Sequence, residues 1–150
     1  MLQRIQTLFL LIAGGLVSAM FFMPLSQIII DEQIYDFNIY AIQTTNNELL
    51  INTYSLAILL VAILLINLLT IFLYKHRKLQ MRLCVYNILL NVGFYGLFVF
   101  YYYQIMYVHK FIYTFRIAIL FPLIVIILLW LAFRAIRKDD ILIKSVDRIR

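Results

Sequence analysis

Four long runs of apolar residues constrain this chain more than any other feature of its sequence. A helix needs about 20 apolar residues to cross the roughly 30 Å hydrocarbon core of a bilayer. Stretches of about that length occupy most of the chain, at positions 5–23, 53–74, 83–103 and 116–133. The sequence therefore predicts four transmembrane helices.

The composition excludes an ordinary soluble protein. Hydrophobic residues make up 65% of the chain and the mean hydropathy is +0.97, whereas soluble domains contain about 45–50% apolar residues. A globule of 150 residues has too little interior to bury that much apolar surface. The predicted fold is an all-α membrane protein, in which residues 1–150 form one four-transmembrane-helix bundle.

The distribution of positive charge predicts how the helices are oriented. Loops on the cytoplasmic side of a membrane are enriched in Lys and Arg. Eleven of the 13 such residues flank helix ends that share one side: Arg4, Lys75, Arg77, Lys78, Arg82, Arg134, Arg137, Lys138, Lys144, Arg148 and Arg150. We expect a multi-pass protein with the N-terminus and C-terminus in the cytoplasm and residues 134–150 as a basic cytoplasmic tail.

The N-terminal run also has some features of a secretory signal. A basic start, an apolar stretch and the small residues Val17-Ser18-Ala19 are typical of a cleavable leader. The apolar run nevertheless continues through Phe22 and Met23 to Pro24 and is long enough to span a bilayer. A retained first helix is therefore the favoured interpretation.

The segment 24–52, between the first two helices, has the composition of β-strands. Gln27 to Ile30 is rich in β-branched residues, and Ile34 to Ile42 alternates apolar and polar positions. We expect a small extracytoplasmic β-hairpin that covers the helix ends. Its aromatic residues leave open a second interpretation, a surface for a partner or ligand.

Two pairs of polar residues interrupt the apolar runs. Asn67 and Thr70 lie on one face of helix two, and Asn87 and Asn91 lie on one face of helix three. Polar residues within a membrane tend to face other helices. Because a short basic loop joins these antiparallel helices, the pairs lie at matching depths. The sequence predicts interhelical hydrogen bonds between them.

Small residues and one proline predict details of the helix packing. Gly14 and Gly15 in helix one, and Gly93 and Gly96 in helix three, predict faces for close helix contact. Pro122 removes one backbone hydrogen bond within helix four. A slight bend is expected there.

Aromatic residues cluster around the outer ends of helices three and four. Ten Phe and Tyr residues lie between positions 95 and 115. Such rings are enriched where the bilayer meets water. The pattern predicts an interfacial belt, with a site for a lipid or quinone headgroup as the alternative.

The basic tail is a candidate contact surface. In the short segment after Asp139 and Asp140, apolar residues alternate with charged ones. This pattern is typical of a helix lying at a membrane surface. Basic residues there attract anionic headgroups. The residues expected to contact lipid or a partner protein are Arg137, Lys138, Lys144, Arg148 and Arg150.

The sequence has few ingredients for catalysis or metal binding. His76 and His109 are predicted on opposite sides of the membrane, so they cannot share a haem or metal, and Cys84 is the single cysteine. No nucleotide-binding or zinc-protease motif occurs. We predict a non-enzymatic protein without a cofactor or a nucleic-acid partner. An enzyme requires the external polar residues to converge, namely Asp36, Glu48, His109 and Arg116.

Three stretches of sequence carry a family resemblance. They are the opening LQRIQTLFLL, the loop KHRKLQMRL followed by Asn87, and the closing RAIRKDDILIKSVDRIR. Together they resemble the Bacteroidota membrane family called domain of unknown function 4293. The resemblance covers essentially the whole chain and implies a bacterial cytoplasmic (inner) membrane, but it implies no activity or site residues.

Three hypotheses of function follow from these features. The first is a small accessory subunit or scaffold of a larger inner-membrane assembly. The second is a binder or carrier of a lipid-like molecule within the helices, which requires an apolar tunnel rather than a tightly packed interior. A membrane-embedded enzyme is the third hypothesis.

Overall fold

The computed structural model of the protein contains four long helices. It describes residues 2–30, 33–44, 49–74, 76–108 and 112–147. The helices are α1 (Leu2–Ala19), α2 (Tyr54–Phe72), α3 (Arg77–Val108) and α4 (Phe121–Asp147), and a 3₁₀ turn at Ile117–Leu120 precedes α4. α1 and α3 each pack against both α2 and α4.

A five-stranded antiparallel sheet accompanies the helices. Its strands are β1 (Ser26–Ile30), β2 (Gln33–Phe37), β3 (Ala41–Thr44), β4 (Leu49–Asn52) and β5 (Ile112–Phe115). Their order in the sheet is β4-β3-β2-β1-β5, with antiparallel pairing throughout. The predicted all-α fold is therefore wrong, and the protein has a mixed fold of four helices and one sheet.

Two segments account for the wrong prediction of an all-α fold. The predicted hairpin region contains four strands rather than two, because the second predicted run, Ile34 to Ile42, is divided between β2 and β3, and Leu49–Asn52 adds β4. The fifth strand comes from the connection between α3 and α4, where Ile112 and Tyr113 pair with Ile29 and Ile28. Its sequence, Ile-Tyr-Thr-Phe, fits a strand as well as an aromatic belt.

One face of the sheet packs on the ends of the helices. Ser26, Ile28 and Ile30 alternate along β1 and are buried, while Ile29 between them is exposed. Phe37 of β2 is fully buried, with its ring centroid 5.0 Å from that of Phe98 on α3. This alternation is what a sheet with one covered face requires.

The outer surface of the helices is apolar. Three helical stretches are long and apolar enough to cross a membrane: Tyr54–Phe72, Arg77–Tyr107 and Ile117–Leu142. The apolar part described in α1 is shorter, at Ile5–Ala19. Large side chains such as Ile58, Leu89 and Ile127 are more than half exposed. These features are compatible with a membrane protein.

The last helix extends well beyond the predicted transmembrane run. α4 continues without a break from Phe121 to Asp147, a length of about 40 Å at 1.5 Å per residue. Ile136 is fully buried, so the packed core continues past position 133. The first part of the basic tail is thus an extension of α4 rather than a separate segment.

The start of α4 is held by a tyrosine from α3. The Tyr95 hydroxyl donates to the Ile119 carbonyl at 2.7 Å and accepts from the Leu123 N–H at 3.1 Å. The hydroxyl thus lies between the Ile119 carbonyl and the Leu123 N–H, which are four residues apart and would bond to each other directly in a regular α-helix. Pro122 lies in the first turn of α4, where a missing N–H costs little.

Replacing Tyr95 with Phe is expected to lower the free energy of unfolding by about 1 kcal/mol, because two backbone groups lose a partner. Unfolding in mixed micelles of a mild and a denaturing detergent measures the change. Tyr86→Phe is the matched control, since Tyr86 lies on the same helix and is exposed. Equal stability of the two variants would contradict a capping role for Tyr95.

Candidate functional site at the basic end of the helices

The structure distinguishes two ends of the helical layer. Pairing of β1 with β5 places the α1–α2 and α3–α4 connections at one end, the sheet end. A contact between Arg77 and Asp139 places the α2–α3 connection beside the extension of α4 at the other. We call this other end the basic end, because Arg77, Lys78, Arg82, Arg134, Arg137 and Lys138 lie there.

An ion pair joins two helices at the basic end. Arg77, in the first turn of α3, places Nη1 3.1 Å from Asp139 Oδ2 on α4. The same nitrogen donates to the Asp139 main-chain carbonyl, also at 3.1 Å. Both side chains are largely buried, at 22% and 15% exposure. One guanidinium thus holds the side chain and the backbone of one residue on the α4 extension.

A cavity of about 340 Å³ lies next to this ion pair. Gln6 of α1 and Gln80 of α3 line it and are buried, at 5% and 4% exposure. The Gln6 Nε2 has no hydrogen-bond partner among the residues that the structure describes. The other lining residues are Thr7, Leu8, Leu11, Tyr74 and Arg77. The cavity therefore combines hydrogen-bonding groups with exposed leucine side chains of α1.

A second cavity is a groove of about 470 Å³ between α3 and α4, which we call the α3–α4 groove. It is lined by Lys78, Met81, Arg82, Val85, Phe133, Arg137, Asp140 and Ile141. Three of these side chains are cationic and one is acidic. The remaining four are apolar, so the groove has both charged and apolar side chains along its length.

The predicted polar residues are all buried, but their hydrogen bonds differ from those expected. Asn67 donates from Nδ2 to the Leu10 carbonyl of α1 at 3.0 Å, so its interhelical partner is α1 and not α3. Thr70 bonds to Ile66 within α2. Asn91 bonds to the carbonyl and side-chain oxygen of Asn87 within α3.

Close helix packing occurs at one of the four glycines. A Cβ added at Gly14 would lie 2.8 Å from Nδ2 of Asn67, whereas one added at Gly15, Gly93 or Gly96 would have no atom of the described residues within 4 Å. Gly14 therefore allows α2 to approach α1 closely enough for the Asn67 hydrogen bond. Asn67 Oδ1 and Asn87 Nδ2 are buried and have no hydrogen-bond partner within the described part of the chain.

The other predicted site residues are spread over both ends. Arg137 lines the α3–α4 groove, and Lys138 beside it is exposed. Arg148 and Arg150 lie outside the described residues, as does the side chain of Lys144. Among the polar residues predicted to be external, Asp36 accepts a hydrogen bond from Gln27, and Glu48 and His109 lie outside the described part.

Sequence reasoning missed the principal contacts of the basic end. It did not pair Arg77 with Asp139, and it did not single out the buried amides of Gln6 and Gln80. Gln80 falls on the helical spacing of Cys84, Asn87 and Asn91, so the periodicity of α3 was the available signal. Within the described ranges, no group of three or more His, Cys, Asp or Glu side chains is arranged to hold a metal ion.

These features define a small protein with membrane-length apolar helices, a sheet at one end and charged cavities at the other. The chain belongs to the family DUF4293, a domain of unknown function, whose match covers residues 2–149. The family resemblance predicted from the sequence is thus confirmed. No curated protein matches the chain, and no solved structure does.

Proposed function

We propose that this protein is a non-catalytic accessory subunit or scaffold of a larger assembly in a bacterial cytoplasmic membrane. Three membrane-length apolar helices support the membrane placement. Both termini are proposed to lie in the cytoplasm, because the positive charge is concentrated at the basic end. The sheet is then extracytoplasmic.

The observation that carries the proposal is the exposure of β5. This strand lies at an edge of the sheet, and its four residues are all exposed, in contrast to the half-buried β1 beside it. Ile112 is 69% exposed and Phe115 is 51% exposed. An edge strand with apolar side chains on both faces offers backbone and side-chain groups to another chain.

The neighbouring part of α3 enlarges this surface. Tyr102 packs edge-on against Tyr113, with ring centroids 5.5 Å apart, and Tyr113 packs against Phe115 at 4.9 Å. Tyr103 and Tyr107 on the same helix are more than half exposed. Aromatic side chains of this kind are enriched in protein interfaces. We call β5 together with Tyr102, Tyr103 and Tyr107 the aromatic edge. It is the proposed site of contact with a partner subunit.

The packing of the helices favours a scaffold over a lipid carrier. Leu60, Ile63, Phe94, Val125 and Leu129 come from three helices and are 1% exposed or less. The two cavities described above lie at the basic end rather than between the apolar stretches of the helices, and charged or amide side chains form part of the lining of each. A carrier requires an apolar tunnel between the helices, and these side chains occupy that position.

A photo-crosslinking amino acid at position 113 tests the proposal in the native membrane. We expect a crosslink to one protein in stoichiometric amount, identified by mass spectrometry after extraction into lipid nanodiscs. The matched control is position 92, where Val92 is exposed near the middle of α3 and is expected to crosslink to lipid. Crosslinks to lipid alone from both positions would overturn the scaffold proposal.

A further inference from the structure

The α3–α4 groove has a chemical gradient along its length. On α3, Lys78, Arg82 and Val85 follow one another at spacings of four and three residues, so they lie on one helix face. The two cations are nearest the start of the helix, and the valine is farther along it. Charge therefore gives way to apolar surface over about 10 Å.

The opposite wall of the groove also changes from charged to apolar between Arg137 and Phe133, and Ile141 adds an apolar side chain at its outer end. On α4, Arg137 and Ile141 lie on the extension, and Phe133 lies one turn before Arg137, towards the apolar run. Because α3 and α4 run in opposite directions, both cationic parts lie at the basic end. Phe133 and Val85 then face the groove on the side of the apolar helical surface.

The net charge of the groove favours an anionic ligand. Lys78, Arg82 and Arg137 are opposed by the single carboxylate of Asp140 among the lining side chains. Arg77 is a separate case, because Asp139 already matches its charge at 3.1 Å. A cationic site next to an apolar wall has the chemistry of a phospholipid-binding site, in which basic side chains contact the phosphate.

We propose that the α3–α4 groove binds one anionic glycerophospholipid. The phosphodiester lies between Arg82 and Arg137, which donate hydrogen bonds to its oxygens, and Lys78 adds charge at the solvent side. An acyl chain follows Val85 and Phe133 into the apolar surface. This site rests on the proposed membrane placement, but it does not depend on a partner at the aromatic edge.

Native mass spectrometry of the purified full-length protein in detergent tests the site. Phosphatidylglycerol and phosphatidylcholine with identical acyl chains are the two probes, since they differ in net headgroup charge. We expect phosphatidylglycerol to bind at least fivefold more tightly. The double variant Arg82→Gln, Arg137→Gln is expected to remove that preference. Equal binding of both lipids by the wild-type protein would overturn the proposal.

Lys138→Gln combined with Arg134→Gln is the matched control, because it removes the same number of charges from exposed positions of α4 outside the groove. The sequence predicts a lipid contact for Lys138 as well, so this variant compares the exposed surface of the tail with the groove. The control is expected to retain most of the preference. If both double variants lose it equally, attraction is diffuse and the groove is not a site. Thermal unfolding of each variant identifies a loss that is due to misfolding, and the single variant Arg137→Gln then replaces the double one.

A water-soluble headgroup distinguishes a lipid from a free phosphate ester. Glycerophosphoglycerol carries the same phosphodiester without acyl chains, and we expect it to compete at least a hundredfold less effectively than the lipid. Competition as effective as that of the lipid would overturn the role of Val85 and Phe133. These measurements use no partner protein, so the lipid site and the scaffold proposal succeed or fail independently.

Discussion

Replacing Gly14 with Ala is expected to lower the free energy of unfolding by about 2–3 kcal/mol. The new methyl group would lie 2.8 Å from Asn67 Nδ2, which is closer than a carbon and a nitrogen can approach. Asn67 must then move, and its hydrogen bond to the Leu10 carbonyl is lost. Overpacking in a well-packed core and loss of a buried hydrogen bond each cost about 1–3 kcal/mol, and the higher helix propensity of Ala offsets up to about 1 kcal/mol of the sum.

Gly15 provides a matched control one position along the same helix. Nothing lies within 4 Å of a Cβ added there, so Gly15→Ala is expected to leave stability unchanged or to raise it by up to about 1 kcal/mol through helix propensity. Equilibrium unfolding in mixed detergent micelles measures both variants. Similar values for Gly14→Ala and Gly15→Ala would show that α1 and α2 do not approach so closely.

A double-mutant cycle identifies the atom responsible. Asn67→Ala removes the amide that the new methyl group would meet, and it is expected to cost about 1 kcal/mol by itself. In that background, Gly14→Ala is expected to cost nothing. The coupling free energy between the two positions is then about 2–3 kcal/mol, the whole cost of Gly14→Ala in the wild-type protein. Strict additivity would contradict a direct contact between Gly14 and Asn67.

The helices were predictable from the sequence because their signal is local. A run of about 20 apolar residues is sufficient to predict each one, and α2 lies within one residue or two of its predicted ends. The end of α4 was not predictable in this way. Its extension past position 133 carries charges on its exposed side, while Ile136 continues the buried face, and a search for uniform hydropathy passes over such a pattern.

The sheet shows where local signals fail. β5 has only four residues and pairs with β1, more than 80 residues earlier in the chain. Nothing in a four-residue segment identifies its partner. The topology does, because four antiparallel helices bring the first and third connections to the same end. A strand-forming sequence in the third connection is thus a signal that becomes readable only after the helices are placed.

The buried asparagines illustrate a similar limit within the helices. Their depth follows from counting residues, since each residue advances the helix by 1.5 Å. Which neighbour a side chain meets depends on the rotation of the helix about its axis. Asn67 faces the carbonyl of Leu10 on α1, and the glycine that permits this contact lies more than 50 positions away. Sequence spacing within α2 and α3 contains no information about that rotation.

The second large effect is expected at the ion pair of the basic end. Arg77→Ala removes the bond to Asp139 Oδ2 and the bond to the Asp139 carbonyl, both at 3.1 Å. The expected cost is about 2 kcal/mol, because hydrogen bonds to charged groups contribute about 1.5–3 kcal/mol and partial exposure reduces the ionic part. The lost stability is that of the α4 extension, residues 134–147, which lies past the predicted transmembrane run.

Hydrogen exchange of the amides in residues 134–147 is the direct measurement of this loss. A 2 kcal/mol change corresponds to roughly thirtyfold faster exchange if the extension opens locally. Asp139→Asn removes the negative charge but leaves the carbonyl acceptor, so its expected effect is about half as large. Lys138→Ala, at an exposed neighbouring position, is the control and is expected to change exchange less than twofold.

High salt distinguishes the contributions of the two bonds of Arg77 to the stability of the extension. At 1 M salt, charges are screened over about 3 Å, so the ionic part weakens while the bond to the carbonyl remains. The difference between wild type and Arg77→Ala is expected to shrink in high salt but to stay above that of Asp139→Asn. If Arg77→Ala exchanges no faster than Lys138→Ala, then α3 does not hold the extension. The α3–α4 groove, whose walls are these two helices, then loses the fixed geometry that its lipid site requires.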